Sequence, residues 1–323
     1  MSGVAEQLLG RGLMRLVGLV HGRRMGNCEI LVKEALMSAE EAATADVELI
    51  RLNDLNILPC TGCEACIKRR QRGEEPECVI KHDDMVWLME AVGKSDGVII
   101  ATAVYFLGPA GPFKTISDRM LPYSARTLRA TKANAADGKD IRKVGGLISV
   151  GGGPHHWAAM GVTLMHRFTS PLMISVVDKL HLVETPGRGQ VLLNEKALEQ
   201  ARRMGRNVAQ SMGKLASEIK YLGEDPGVCP VCHSNLIYPG RRFPVECPIC
   251  GAGGTLSVDG KRITMQLDEE SMHECHLTIE GRDFHLREII EYQKQHLQNI
   301  EKINKMAEKY HSYKSFSRPE GTE

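Results

Sequence analysis

Leu16-Val17-Gly18-Leu19-Val20-His21-Gly22-Arg23-Arg24-Met25-Gly26-Asn27-Cys28-Glu29 is the stretch on which the reading of the fold turns. Its first five residues are an apolar, β-rich run, and helical periodicity follows over Asn27–Ala43. A short turn between a strand and a helix N-terminus presents unpaired N–H groups and the positive end of a helix dipole, which suits a phosphate. Gly22 and Gly26 let the backbone come close, and Arg23 adds charge. Asn27 and Cys28 stand where first-turn donors belong, with His21 beside them. No Gly-Lys-Ser/Thr follows and no G-x-G-x-x-G is present, so this is neither a Walker A loop nor a dinucleotide fingerprint.

The same alternation continues outward. Further strands read at Val47–Leu52, Gly97–Thr102, Val144–Val150 and Lys179–Val183. Helices read near Asp83–Val92, Pro112–Tyr123, Trp157–Phe168 and Glu195–Leu215. Strands and helices in strict alternation predict an α/β, flavodoxin-like, doubly wound five-stranded parallel sheet over 1–222, with ligands at the carboxyl ends of its strands. Gly223-Glu-Asp-Pro-Gly227 breaks the pattern. A proline-rich metal module is expected over 223–280, with short β-rich pieces at Ile263–Leu267 and His276–Ile279. An amphipathic helix from Phe284 to Tyr310 lies within 281–323, followed by a loose tail from Ser312.

The 323 residues include 41 basic and 40 acidic side chains, so no global field draws the chain to nucleic acid or anionic membrane. No apolar run reaches the ~20 residues a bilayer span needs. Met1 to Leu13 lacks a long apolar core. A cytoplasmic location is expected. Eight of the ten cysteines fall into two sets of four. In a reducing compartment such tight spacing favours metal ligation over disulfides.

Pro59-Cys60-Thr-Gly-Cys63-Glu-Ala-Cys66, with Cys78 after eleven more residues, suits three corners of a cubane closed by a remote fourth ligand. The expectation is a [4Fe–4S] cluster on Cys60, Cys63, Cys66 and Cys78; bare thiols or zinc are the alternatives. Arg69, Arg70 and Arg72 in this loop read as a solvated charged excursion, or as a dock for an acidic carrier such as ferredoxin. Cys229-Pro-Val-Cys232 and Cys247-Pro-Ile-Cys250 are two knuckles of a four-thiolate site. Structural zinc is preferred there, and iron shares the spacing.

The strand-three end, Thr102-Ala103-Val104-Tyr105-Phe106, offers small residues and aromatic walls to a flat ring. Gly151-Gly152-Gly153 ends strand four and permits close approach to a planar ligand. His155 and His156 are candidate proton donors. Lys114, Asp118 and Arg119 read as a solvated or subunit-facing helix rather than as catalysts.

Arg23-x-x-Gly26-Asn27 resembles the phosphate loop of the NADPH-dependent FMN reductase family, with Cys28 where that family has Thr or Ser. Ala103-Val104-Tyr105 resembles its Pro-Val-Tyr loop, and the family places a glycine-rich turn beside the isoalloxazine. Pro59–Cys66 followed by Cys78-Val-Ile-Lys-His-Asp83-Asp84-Met85 is similar to the iron–sulfur flavoprotein branch, here with a longer gap before Cys78. The resemblance covers about residues 14 to 185. It implies FMN exchanging single electrons with the cluster, NAD(P)H or ferredoxin as donor, and a homodimer or homotetramer. A cluster-less NAD(P)H-dependent FMN or quinone reductase, and a flavin redox sensor that presents its ribbon to a partner, are the alternatives.

Overall fold

β1 (Arg15–His21) is buried from Leu16 to Val20, because its two faces both meet helices. The computed structural model describes residues 13–43 and 45–311. The first twelve residues, and the tail from Ser312 read as loose, lie outside the described residues. β1 pairs in parallel with β2 (Asp46–Arg51) on one side and β3 (Gly97–Tyr105) on the other. The two-residue strand β4 (Gly108–Pro109) folds back antiparallel on the end of β3. β5 (Val144–Val150) and β6 (Ser175–Leu182) complete the parallel set in the order β2-β1-β3-β5-β6.

Alternate strand residues feed two cores. Leu16, Val20, Ile99, Ile148 and Val177 face α1 (Asn27–Ala43) on one side. Val17, Leu19, Val98, Ile100 and Leu147 face the opposite layer. A short helix α2 (Ala65–Gln71) lies in the first cysteine loop. The opposite layer comprises α3 (Met85–Lys94), α4 (Gly111–Asp118), α5 (Leu121–Ala136) and α6 (Gly161–Thr169). α7 (Glu195–Ser211), capped by the Asn194 side chain on the Ala197 N–H, packs beside α1.

Several boundaries differ from the sequence reading. The helix read over Pro112–Tyr123 is two: α4 stops at Asp118 and α5 starts at Leu121. Pro122 would clash with the carbonyl four residues back, so a continuous helix is excluded. The helix read from Trp157 begins at Gly161, after a 3₁₀ turn over His155–Trp157.

The ribbon sheet, β7 (Tyr238–Pro239), β8 (Val245–Glu246), β9 (Gly253–Asp259) and β10 (Arg262–Leu267), is antiparallel throughout. His276–Ile279, read as a β piece, instead leads into α8 (Ile279–Gln298), whose cap is Thr278: its Oγ accepts from the Gly281 N–H at 2.9 Å. The C-terminal helix breaks at Asn299, whose side-chain amide donates to the Gln295 carbonyl, and resumes as α9 (Ile300–His311). The start of α8 docks on its own chain. Buried Arg282 donates to the Ser170 carbonyl and hydroxyl at 2.8 Å, and Leu286 joins Leu128 and Met173. Farther along, Tyr292, Leu297, Ile303 and Met306 are exposed.

α1 and α7 touch at Gly205, where an added Cβ would stand 2.0 Å from the Ala35 carbonyl oxygen. Helix propensity favours alanine there by about 1 kcal/mol, but overpacking costs roughly 1–3 kcal/mol. Gly205→Ala should therefore lower stability by about 1 kcal/mol in a urea titration, and a gain would disprove this packing.

Candidate functional site

At the carboxyl ends of β1, β3 and β5 a cavity of about 630 Å³ opens, within the roughly 300–1,000 Å³ of cofactor pockets. Gly22, Arg23, Gly26, Asn27 and Cys28 form one wall. Ala103 to Leu107 form a second, and Val150, Gly152, Gly153 and Trp157 a third. Thr185 to Arg188, just past β6, close the fourth side.

The phosphate-type loop is held from below by groups the sequence reading did not single out. Arg51, at the end of β2, pairs with buried Glu29 and donates to the Gly22 carbonyl at 3.2 Å. The Gly22 N–H donates to Asn53 Oδ1 at 2.9 Å. A Cβ at Gly26 would stand 2.8 Å from the Arg23 carbonyl oxygen, so the tight turn admits only glycine. Asn27 does not aim its amide at the cavity. Its Nδ2 donates to the Thr185 and Gly187 carbonyls and its Oδ1 accepts from the Val191 N–H, stapling the far loop to α1. What it leaves for a ligand is its first-turn backbone N–H.

Burial pushes the Cys28 thiol up to about 12, so it brings no negative charge against an anion. Burial, then Arg51, lowers the His21 pKa, which leaves that imidazole neutral near pH 7. Its Nδ1 is buried with no partner among the described residues. Arg23 and Arg188 are exposed at the rim of the cavity, and neither makes an ion pair or side-chain hydrogen bond among the described residues. Arg188, in Thr-Pro-Gly-Arg-Gly after β6, was legible as a glycine-flanked strand-end loop.

Thr102 is fully buried and shapes the second wall from within, its Oγ accepting from the Ala110 N–H and donating to the Ala103 carbonyl. At the β3–β4 turn, Phe106 and Leu107 both take positive φ, +47° and +74°. For non-glycine residues this costs roughly 1–3 kcal/mol each, and Phe106 is nevertheless fully exposed. Gly151 is buried against Ala158, one step behind the cavity wall. His155 and His156 are exposed and outside the lining; His155 stands edge-on to His181 at 5.4 Å and His156 against Trp157 at 5.7 Å.

The two cysteine sets have different geometries. The sulfurs of Cys229, Cys232, Cys247 and Cys250 are buried and lie within 4.8 Å of one another, with Cys229–Cys250 at 3.6 Å and Cys232–Cys247 at 3.5 Å. A tetrahedron with Zn–S bonds of about 2.3 Å has edges of about 3.8 Å. Each knuckle closes on a left-handed residue, His233 (φ +61°) and Gly251 (φ +85°). Cys275 is buried beside Cys250. All ten cysteines are free.

Cys60 and Cys63 are exposed, and Cys66 and Cys78 half-buried. The Cys66 thiol is raised by burial and then by the charges of Cys78 and Cys60, which places three of these sulfurs near one another. They are not packed as tightly as the ribbon set, and a cubane spreads its thiolates farther apart than one ion does. None of the four lines the 630 Å³ cavity. Cys78 borders a second cavity, of about 510 Å³, between α3 and α5.

Two of the three loop arginines make ion pairs within the loop. Arg69 and Arg72 meet Glu74, and Glu75 meets Arg126 and Arg129 of α5. Arg119 is a correction to the sequence reading. It is buried and paired with fully buried Asp83, because the chain turns inward after α4; Lys114 and Asp118 pair with each other at the surface.

Residues 14–185 match the family described as NADPH-dependent FMN reductase. A flavone synthase of Aspergillus candidus is 27% identical over 85% of this chain and 88% of its own length. An iron–sulfur flavoprotein of Methanocaldococcus jannaschii is 30% identical over 61% of this chain and 96% of its own. Among solved structures, a flavone reductase superposes with a TM-score of 0.76 at 26% identity, over 95% of this chain and all of that one.

Gly26→Ala should close the loop turn and weaken flavin retention at least tenfold on gel filtration, with little change in the melting temperature of flavin-free protein. Cys232→Ser should expose the ribbon to limited proteolysis while the sheet stays folded, since a metal on these four thiolates would supply much of the folding energy of so small a unit.

Proposed function

This chain belongs to the NADPH-dependent FMN reductase family, whose members are flavin-dependent oxidoreductases, and from that premise we propose that it works with FMN in the 630 Å³ cavity and a [4Fe–4S] cluster on Cys60, Cys63, Cys66 and Cys78. The observation that carries the reading is the cavity itself. A glycine-tight, N–H-rich turn and two uncommitted arginines stand at one end, and apolar strand ends at the other. The turn that only Gly26 allows fits a phosphate-bearing ligand, while His21, expected at the site, stands outside the cavity lining.

When bound, FMN supplies exchange between hydride and single-electron transfer. The chain's own groups do the rest. The first-turn N–H groups of α1 and Arg23 would receive the phosphate, with Arg188 on the adjoining loop. Neutral Cys28 and His21 add no repulsion. Ala103, Val104, Gly152 and Gly153 allow the ring to lie against backbone, while Tyr105 and Trp157 shield it from water. NAD(P)H is the donor that the family description supports, and ferredoxin is the alternative. Zinc on Cys229, Cys232, Cys247 and Cys250 is structural: four buried thiolates leave no open position for a substrate.

A second observation sharpens the substrate. Phe106, Leu107, Tyr105 and Trp157 form an exposed apolar rim beyond the phosphate loop. The relatives named for flavones match nearly the whole chain, ribbon included. A flat phenolic molecule that gains or loses a pair of hydrogens fits both facts. Protein purified without oxygen should carry about one FMN, about four cluster irons and about one zinc per chain. It should reduce a flavone-type enone with NADPH, and Trp157→Ala should raise KM for the enone about tenfold. Flavin with zinc and no iron would leave the cluster-less reductase standing.

A further inference from the structure

We infer that Arg119 is a positioning residue for the iron–sulfur site: its guanidinium clamps both ends of the Cys60–Cys78 loop and sets a positive charge against the Cys78 ligand. The inference rests on the cluster reading above. Arg119 Nη1 donates to the Leu58 carbonyl at 3.0 Å, two residues before Cys60. Nη2 donates to the Ile80 carbonyl at 3.1 Å, two residues after Cys78. Both nitrogens also meet the Asp83 carboxylate, which accepts from the Leu58 and Met85 N–H groups. Asp84 adds a staple alongside, its Oδ2 accepting from the Asn56 N–H at 2.7 Å.

One fork therefore ties the segment leading into the first three cysteines to the segment leaving the fourth. Only a planar, multiply donating cation can do this; a lysine cannot reach these acceptors together. Asp83 and Arg119 are both essentially buried, a costly choice if closing the loop were the only purpose, because an apolar pair would do so more cheaply. The remaining donor, Arg119 Nε, is buried with no partner among the described residues. Cys78 lies two residues before the Ile80 carbonyl that Nη2 holds, so the guanidinium's charge sits at that end of the loop. The nearby cations are otherwise committed, Lys81 to Glu77 and Arg126 to Glu75. Four thiolates around a cubane leave a net negative site, and a buried guanidinium at one ligand stabilises its more negative, reduced form.

The test compares full-length wild type, R119Q and R119K, purified and reconstituted without oxygen, by iron and sulfide per chain, flavin per chain and cluster midpoint potential. R119Q should hold flavin as wild type does, while its iron falls at least fivefold and the residual cluster shows a more negative midpoint. R119K keeps the charge but not the fork: it should load a cluster at least twofold less completely, with a midpoint near that of wild type. Should R119Q fail to fold, the iron content of R119K decides alone. Iron content unchanged in R119K, or full iron loading of R119Q, would overturn this inference while leaving the cluster reading intact. Wild type that holds flavin but takes up no iron would remove that reading and this inference with it.

Discussion

Parallel pairing is the constraint from which the rest follows. Five strands running the same way must each be rejoined by a crossover that covers a face of the sheet, so their carboxyl ends open together along one edge. Where the strand order reverses, the loops after β1 and β3 leave in opposite directions and a cleft remains between them. Every polar group of the cavity stands on one of those strand ends, and the buried strands behind it make the platform rigid.

The two thiol sets meet different physical demands. The ribbon sulfurs are packed to the edge length of a single tetrahedral ion and sealed from water. The loop sulfurs are spread, partly exposed, and anchored by an ion pair and two carbonyl contacts rather than by a core. The first arrangement stabilises a small unit that has few apolar residues of its own. The second leaves its thiols at or near the surface, as the proposed cluster would require.

Much of this was legible in the chain itself. Apolar runs such as Leu16–Val20 and Val144–Val150 read as strands because both of their faces are buried, and the α1 limits, Asn27 to Ala43, follow directly from periodicity. The ribbon knuckles were legible because two-residue gaps between cysteines leave few geometries. What stayed hidden depends on contacts distant in sequence. Arg119 reads as a surface residue beside Asp118, yet Asp83, thirty-six positions away, and the Leu58 and Ile80 carbonyls draw it inward. Asn27 reads as a ligand donor, yet its amide serves a loop more than 150 residues on. Glu29, Arg51 and Asn53 carried no motif, because their task is to hold backbone rather than to meet a ligand.

The crossing at Gly205 reaches further than its own helices. α1 begins at the turn that carries Arg23, and α7 follows closely on the loop that carries Arg188. With their shafts meshed at a point where no side chain fits, the two helices act as the jaws of a fixed calliper. The span between the two rim cations is thus gauged at the rear of the molecule, and a change of fit at the mouth can originate in residues that never come near what is held there.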